Sequence, residues 1–369
     1  MLLLTFIFYG FIVIVALQVA YYVTFFVAFN NRTNTAKPKK NTSVSVIICA
    51  KNEAENLKKN ISYILNQNHP NFEVVLINDN SSDTTLDVIK SIKLKHKNVT
   101  IVDVKPIEKF WGNKKYALTL GIKAAKNNIL LFTDADCKPN SLNWITEMTN
   151  HFSTQKSIVL GYSGYEEKPS FLNKLIRYET LLTAVQYLSY AKLGNPYMGV
   201  GRNLAYRKSL FLNNSGFMNH LDIMSGDDDL FINEVANGKN TSVCFNSESF
   251  TVSDPKETLK DWILQKRRHI STSKFYKLKH KALLATFYFT QIGFWVFSAY
   301  LLSQLFMWQI VLGLILIRFS IYFTTIHSAT KTFKEKGLIF LSPFLEIFLI
   351  LTQLYIFIAN QISKPKHWK

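Results

Sequence analysis

The chain has 369 residues, enough for one or two domains, and carries 43 Lys and Arg against 25 Asp and Glu, a formal net charge of +18. A surplus of that size points to nucleic acid, a membrane surface or an anionic substrate. The three cysteines, Cys49, Cys137 and Cys244, show neither CxxC nor Cys/His spacing. That excludes a disulfide framework and a cysteine metal site and leaves buried, reduced thiols.

Residues Leu2 to Phe29 form an apolar run with no charged residue, and about 20 such residues span a bilayer. No positive residue precedes the run, whereas Arg32, Lys37, Lys39 and Lys40 follow it. This pattern predicts an uncleaved transmembrane anchor over residues 1–30, with its C-terminal side in the cytoplasm. Three more apolar segments, Ala282–Phe306, Met307–Thr325 and Leu338–Ile362, predict a transmembrane region over 282–362. The basic block QKRRHISTSKFYKLKHK and the TKTFKEKG connection agree with that orientation. The tail KPKHWK does not, because four simple crossings place it outside. Pro343 and Glu346 lie inside the last segment, which is therefore also compatible with a hairpin or an interfacial element. Most of the positive charge lies beside these spans, which weighs against a nucleic-acid binder.

Between the spans, residues 41–281 predict a cytoplasmic α/β domain. SVSVIICA, FEVVLIND, VTIVDV and ILLFTDAD are short apolar runs that suit strands buried on both faces of a parallel sheet. Helical stripes alternate with them: Leu57, Ile61, Ile64 and Leu65; then Leu86, Ile89 and Ile92; then Leu118, Ile122 and Ala125. The alternation predicts an open, mostly parallel sheet with flanking helices, in which ligands bind beyond the carboxyl ends of the strands. Polar and acidic residues cluster there in AKNEAEN, NDNSSD and TDADCKP, which predicts a binding site. The stretch from Lys168 to Pro196 is long, aromatic and amphipathic, and reads equally as an interfacial helix or as one packed under the sheet. LKDWILQKRRH, with Trp262 among basic residues, reads as interfacial.

Asp134 and Asp136 stand one residue apart just past a strand, so both can lie on one side of the backbone. Two carboxylates so placed suit a hard divalent ion that also grips phosphate; the plainer alternative is a turn around Pro139. Further on, SGDDDLFINEVANG holds three consecutive acids, Asp227, Asp228 and Asp229. Crowding like charges raises the pKa of at least one, which suits a general base. The plainer alternative is a solvated loop or a helix N-terminus.

SVSVIICAKNEAENL, FEVVLINDNSSDTT and GNKKYALTLGIKAAKNNILLFTDADC resemble, in order and spacing, the donor half of family 2 glycosyltransferases. MGVGRNLAYRKSLF is similar to that family's acceptor-side glycine motif, SGDDDL to its GED or TED motif, and QKRRH to the (Q/R)xxRW motif of its membrane-embedded branch, which often makes polysaccharides. The resemblance covers residues 43–281. It implies the Rossmann-like GT-A fold and the transfer of a sugar, usually with inversion, from a nucleotide donor, most commonly a UDP-sugar, to an acceptor hydroxyl. It places Ala50 and Glu53 in the loop that cradles base and ribose, and Asp79 on the base. Lys114 matches the family lysine, although Asn113 stands where Gly is usual. Asp134 and Asp136 match the DxD that meets ribose and a Mg²⁺ or Mn²⁺ on the diphosphate, and Gly201 falls in the acceptor motif.

Matching Gly226-Asp227-Asp228 to the GED motif makes Asp228 the base, while the alternative register makes it Asp227. Asp229 is expected to cap the next helix, which would run to Gly238. Gln265 and Arg268 are expected to form a second phosphate clamp, with Lys266 and Arg267 turned to anionic lipid. His269 replaces the Trp that stacks under the acceptor sugar in this branch, so processive synthesis is put in doubt. The implied protein is an integral membrane hexosyltransferase of a bacterial inner membrane, acting on a lipid-linked or glycan acceptor. A polyprenyl-phosphate glycosyltransferase and a non-catalytic nucleotide-sugar sensor are the rivals. Gln265 and Arg268 weigh against the first. The coexistence of DxD, acidic base and basic clamp weighs against the second.

Overall fold

The computed structural model describes residues 1–30, 42–105, 114–223 and 225–363. Asn113, the basic residues at positions 32–40 and the tail at 364–369 lie outside the described residues.

The chain opens on helix α1 (Leu2–Asn30). The predicted alternation follows as β1 (Val44–Ala50), α2 (Ala54–Leu65), β2 (Phe72–Asp79), α3 (Thr85–Lys95), β3 (Val99–Val104), α4 (Lys114–Ala124) and β4 (Ile129–Phe132). Shorter elements come next: β5 (Cys137–Pro139), α5 (Trp144–Thr149), β6 (Ile158–Leu160), β7 (Ser163–Tyr165), the long α6 (Phe171–Lys192), β8 (Leu204–Arg207), α7 (Lys208–Asn213), α8 (Asp229–Val235), β9 (Thr241–Val243) and β10 (Thr251–Ser253). Four helices close the chain: α9 (Leu259–Ser271), α10 (Leu278–Ser303), α11 (Trp308–Phe333) and α12 (Ser342–Ile362).

The main sheet has the order β3-β2-β1-β4-β8-β6-β9. β1 pairs in parallel with both β2 and β4; the chain steps outward from β1 to β2 and β3 and then returns through α4 to β4 on β1's other side, which leaves a crevice at the carboxyl end of β1. β8 then pairs antiparallel with β4 and with β6, while β9 is parallel to β6. A second sheet has the order β5-β10-β7, and its β5 follows β4 after four residues. Every residue of β1 is buried, as a strand covered on both faces must be. One apolar layer holds Leu57, Ile61 and Ile64 of α2, with Val88, Ile89 and Ile92 of α3. Leu86 of the predicted stripe is only half-buried. The other layer joins α4 and α6 to the inner ends of α1 and α11.

Helix α6 settles its two readings in favour of the core. Tyr178, Leu181, Val185 and Leu188 are all fully buried, and the Ser170 side chain caps the helix by accepting from the N–H of Asn173.

Four helices, α1, α10, α11 and α12, are long and apolar enough to cross a membrane. The first three pack as a bundle. Gly293 lets α10 approach Ile14 of α1, and the Phe11 and Phe294 rings stack at 6.0 Å. Helix α11 continues two turns past Thr325, where the last predicted crossing stopped, and plants Phe333 against Tyr162 at 4.1 Å between ring centroids. Its inner end is thus part of the α/β domain.

Candidate active site

The loops that follow β1 and β2 are laced to each other. Asn52 and Asn80 both take left-handed backbone (φ 55° and 48°), a conformation Asn tolerates. The Asn52 N–H donates to Ser81 Oγ at 3.0 Å, the Ser82 N–H returns a bond to Asn52 Oδ1 at 2.8 Å, and the Glu53 N–H donates to Thr85 Oγ1 at 2.8 Å. Ala50 and Asp79 close their strands beneath this lacing, 1% and 5% exposed. The Ala50 side chain belongs to the apolar layer under the sheet, and neither Ala50 nor Asp79 lines the cavity described next. Glu53 reaches its wall.

That cavity, of about 900 Å³, runs from the end of β4 to α12 and is lined by Asp134, Asp136, Arg202, Asp228, Arg268 and His269, among others. The structure therefore brings together what the sequence spreads over 135 positions. Gly201, Asp227 and Gln265 share the same walls. Lys114, at the first turn of α4, bridges two of the acids: its Nζ lies 3.2 Å from Asp134 Oδ1 and 3.1 Å from Asp227 Oδ2. Burial alone would lower its pKa, but Asp134 and Asp227 outweigh that and hold the ammonium well above its ordinary value.

Each of the three consecutive acids has a different job. Asp227 pairs with Lys114. Asp228 accepts the Gly201 N–H on Oδ2 at 2.6 Å and the Asp229 N–H on Oδ1 at 2.7 Å. A Cβ at position 201 would stand 3.3 Å from Asp228 Oδ2, so glycine keeps that bond short. Burial, then the charges of Asp227 and Asp229, push the Asp228 carboxyl up to about 7. Asp229 does not cap α8. It is the helix's first residue, and Asp228 is the cap; α8 stops at Val235, three residues short of Gly238. Asp229 instead accepts from the Tyr276 hydroxyl at 2.6 Å and from Thr272, which ties α8 to the connection between α9 and α10.

Asp134 and Asp136 follow β4 directly, and burial and the neighbouring Asp134 raise the pKa of Asp136. They present hard oxygen donors one residue apart. Among the described residues no His, Cys, Asp or Glu joins them to complete a metal cage. Such a pair fits a divalent ion that takes its other ligands from a diphosphate and water.

Helix α9 supplies the basic wall. Gln265 and Arg268 are one turn apart and face the cavity; no described side chain pairs with the Arg268 guanidinium, and burial lowers its pKa. Gln265 Oε1 is buried without a hydrogen-bond partner. Lys266 and Arg267, expected to turn to anionic lipid, find partners within the protein. Lys266 pairs with Glu179 of α6 inside the cavity, and Arg267 grips the end of α12, donating to Asn360 Oδ1 at 2.9 Å and Ala359 O at 3.0 Å. The physical reason is reach: α9 lies against α12, and Lys266 extends to a carboxylate on α6. His269 lines the cavity from an exposed position on α9, with Lys266 and Arg268 nearby to disfavour a further positive charge on the ring.

Two residues that sequence reasoning missed complete the site. Arg202 donates to Ser253 Oγ at 2.7 Å and Gly164 O at 3.1 Å, and lies over the Tyr165 ring at 4.3 Å, close enough for its charge to act on Asp136. Lys115, 1% exposed, donates to His220 O at 2.6 Å and Ile223 O at 2.9 Å, which fastens the loop leading to the acid triplet. The signal for Arg202 was available, since it lies inside the glycine motif; for Lys115 there was none beyond its place beside Lys114.

Fold and site define the class, a GT-A domain built on apolar helices. The description "Glycosyl transferase family group 2" matches residues 134–329, more than half of the chain, and "Glycosyl transferase family 2" matches residues 45–213. The chain belongs to the family 2 glycosyltransferases. It is 27% identical over 184 residues to 4,4'-diaponeurosporenoate glycosyltransferase of Staphylococcus haemolyticus, covering 48% of this chain and 45% of that one. It is also 27% identical over 132 residues to the UDP-Glc:alpha-D-GlcNAc-diphosphoundecaprenol beta-1,3-glucosyltransferase WfaP of Escherichia coli, covering 35% of this chain and 48% of that one. The chain thus spans about half the length of these relatives. Among solved structures, the mannosyltransferase PcManGT of Pyrobaculum calidifontis, in complex with GDP-Man and Mn²⁺, superposes with a TM-score of 0.57 at 17% identity, covering 89% of this chain and 99% of that one. That likeness supports the fold.

Proposed function

We propose that the protein is an inverting membrane glycosyltransferase that moves a hexose or N-acetylhexosamine from a nucleotide-sugar, in first place a UDP-sugar, to a hydroxyl of a lipid-linked or polymeric glycan. The observation that carries this reading is the shared cavity. It gathers the Asp228 carboxyl, poised near 7, and the Asp134/Asp136 pair, with Lys114 bridging Asp134 and Asp227.

Asp228 takes the proton of the acceptor hydroxyl while the acceptor oxygen attacks the anomeric carbon on the face opposite the leaving group. The nucleoside diphosphate departs with the electrons of the broken bond. Its growing negative charge meets Lys114 and Arg268, the latter a planar fork with no carboxylate of its own. A Mg²⁺ or Mn²⁺ held by Asp134 and Asp136 would offset part of that charge. Gly201 and Asp227 keep Asp228 in place, the first by its N–H bond and the second by engaging Lys114. Support for a nucleotide-sugar donor and a lipid-linked acceptor comes from the similarity to WfaP, a UDP-Glc-dependent glucosyltransferase named for a diphosphoundecaprenol-linked acceptor. The placement of the domain on the cytoplasmic side of a bacterial inner membrane rests on the basic residues beside the spans.

Purified protein in lipid nanodiscs, offered UDP-glucose, UDP-N-acetylglucosamine, UDP-galactose and GDP-mannose with membrane lipid extract, is expected to release nucleoside diphosphate from one donor and to stop when EDTA is added. Measurable donor binding with no release from any donor would favour a sensor instead. His269→Trp is expected to lengthen the glycan product by restoring a flat platform for the acceptor sugar; an unchanged product-length profile would remove His269 from the acceptor site.

A further inference from the structure

Helix α12 is long enough to cross a bilayer, at 21 residues and about 31 Å, yet its contacts do not follow a crossing. Its first turns lie beside the inner part of the bundle. Glu346 Oε1 accepts from Gln291 at 2.9 Å, from the Tyr22 hydroxyl at 3.2 Å and from Arg318. One turn on, Ile350 O accepts from the Tyr288 hydroxyl at 3.1 Å, and the Phe348 ring meets Phe171 of α6 at 5.0 Å. Its last turn is held by Arg267 of α9, at Asn360 and Ala359. A crossing helix would carry that last turn to the far end of the bundle, where Phe8, Phe11, Phe294, Leu301 and Val311 cluster. Among the described residues none of α12 joins that cluster.

Both ends of α12 therefore stay on the side of the α/β domain. One face carries Gln353, Phe357, Asn360 and Gln361 to the wall of the cavity. The opposite stripe, Phe344, Phe348, Leu351, Tyr355, Ile358 and Ile362, is 48–81% exposed and follows the three-four spacing of a single helix face. We propose that α12 is a surface helix seated in the bilayer leaflet on the domain's side, so that the chain crosses the membrane three times and its basic tail emerges on the same face as the domain. This goes beyond the transferase reading and stands or falls separately from it. Charge agrees with geometry. Lys334 and Lys336 precede the helix and Lys364, Lys366 and Lys369 follow it in sequence, so three crossings gather these cations on one face, where four would split them. The lipid leaflet suits the stripe because its residues are aromatic and aliphatic, the composition of an interfacial helix's buried face.

Two measurements on the full-length protein test this. A protease-cleavable tag appended after Lys369 is expected to be cut in inside-out membrane vesicles together with sites in the domain, and to survive in intact spheroplasts. Cutting in spheroplasts would mean four crossings and overturn the proposal. A nitroxide on Leu351→Cys, in nanodiscs holding one chain each, is expected to be more accessible to oxygen than to a water-soluble nickel chelate, at a depth of about 5–10 Å. The native cysteines are buried and do not compete for label. Dominant access to the chelate, or shielding from both reagents, would place the stripe in water or against protein and overturn it equally.

Discussion

Asp228→Asn is expected to lower turnover by about 10²- to 10⁴-fold while donor affinity stays within a few-fold of the wild type. The acid shares a recess with Asp134 and Lys114, but the ion pairs of Lys114 run to Asp134 and Asp227, so its loss removes a proton acceptor and leaves the Lys114 pairs in place. The wild-type rate carries the same signature. Burial and two acidic neighbours raise the Asp228 pKa to about 7, and a base works only when ionised. Turnover should therefore rise through pH 7 and fall about tenfold per unit below it. Asp227→Asn is expected to remain active, with its midpoint moved to lower pH, because one of the charges that raises Asp228 is gone. Activity in Asp228→Asn with silence in Asp227→Asn would transfer the base to Asp227.

Lys114→Met should have the second largest effect. One ammonium serves Asp134 and Asp227 at once and also acts on Asp228. Charge-assisted bonds of this kind are worth about 1.5–3 kcal/mol, so kcat/KM is expected to fall by about 10- to 100-fold. The sign of the pH effect separates this from simple disruption. Without the cation Asp228 loses a neighbour that lowers its pKa, so the midpoint moves above 7. Lys114→Arg keeps the charge and should return the midpoint toward the wild type. A midpoint that ignores both substitutions would detach Lys114 from the base.

The donor half of this site is legible in sequence because its physics is local. β1, β2 and β4 are apolar runs buried on both faces, and the acids that end them fall at the crevice by topology alone. Legibility fades where pairing is distant or elements are short. β6 and β9 have three residues each, too few for any period to show, and the sequence did not locate β8 as the antiparallel strand of the expected mostly parallel sheet. The three acids read as one cluster in sequence. In space Asp229 belongs to the Thr272 and Tyr276 hydroxyls more than to its neighbours. The basic run on α9 shows the same limit: composition suggested lipid for Lys266 and Arg267, while the partners that claim them, Glu179 and Asn360, lie 87 and 93 positions away.

The grip of Arg267 on α12 separates two kinds of inheritance. The acids and lysine of the donor side fall within residues 45–213, the stretch matched by the family 2 description, whereas α12 begins at Ser342, beyond the end of either matched stretch at residue 329. The proposed donor wall and the final helix thus come from separate stretches of the chain. Grafting the final helix of one such enzyme onto another should exchange what is glycosylated without exchanging the sugar.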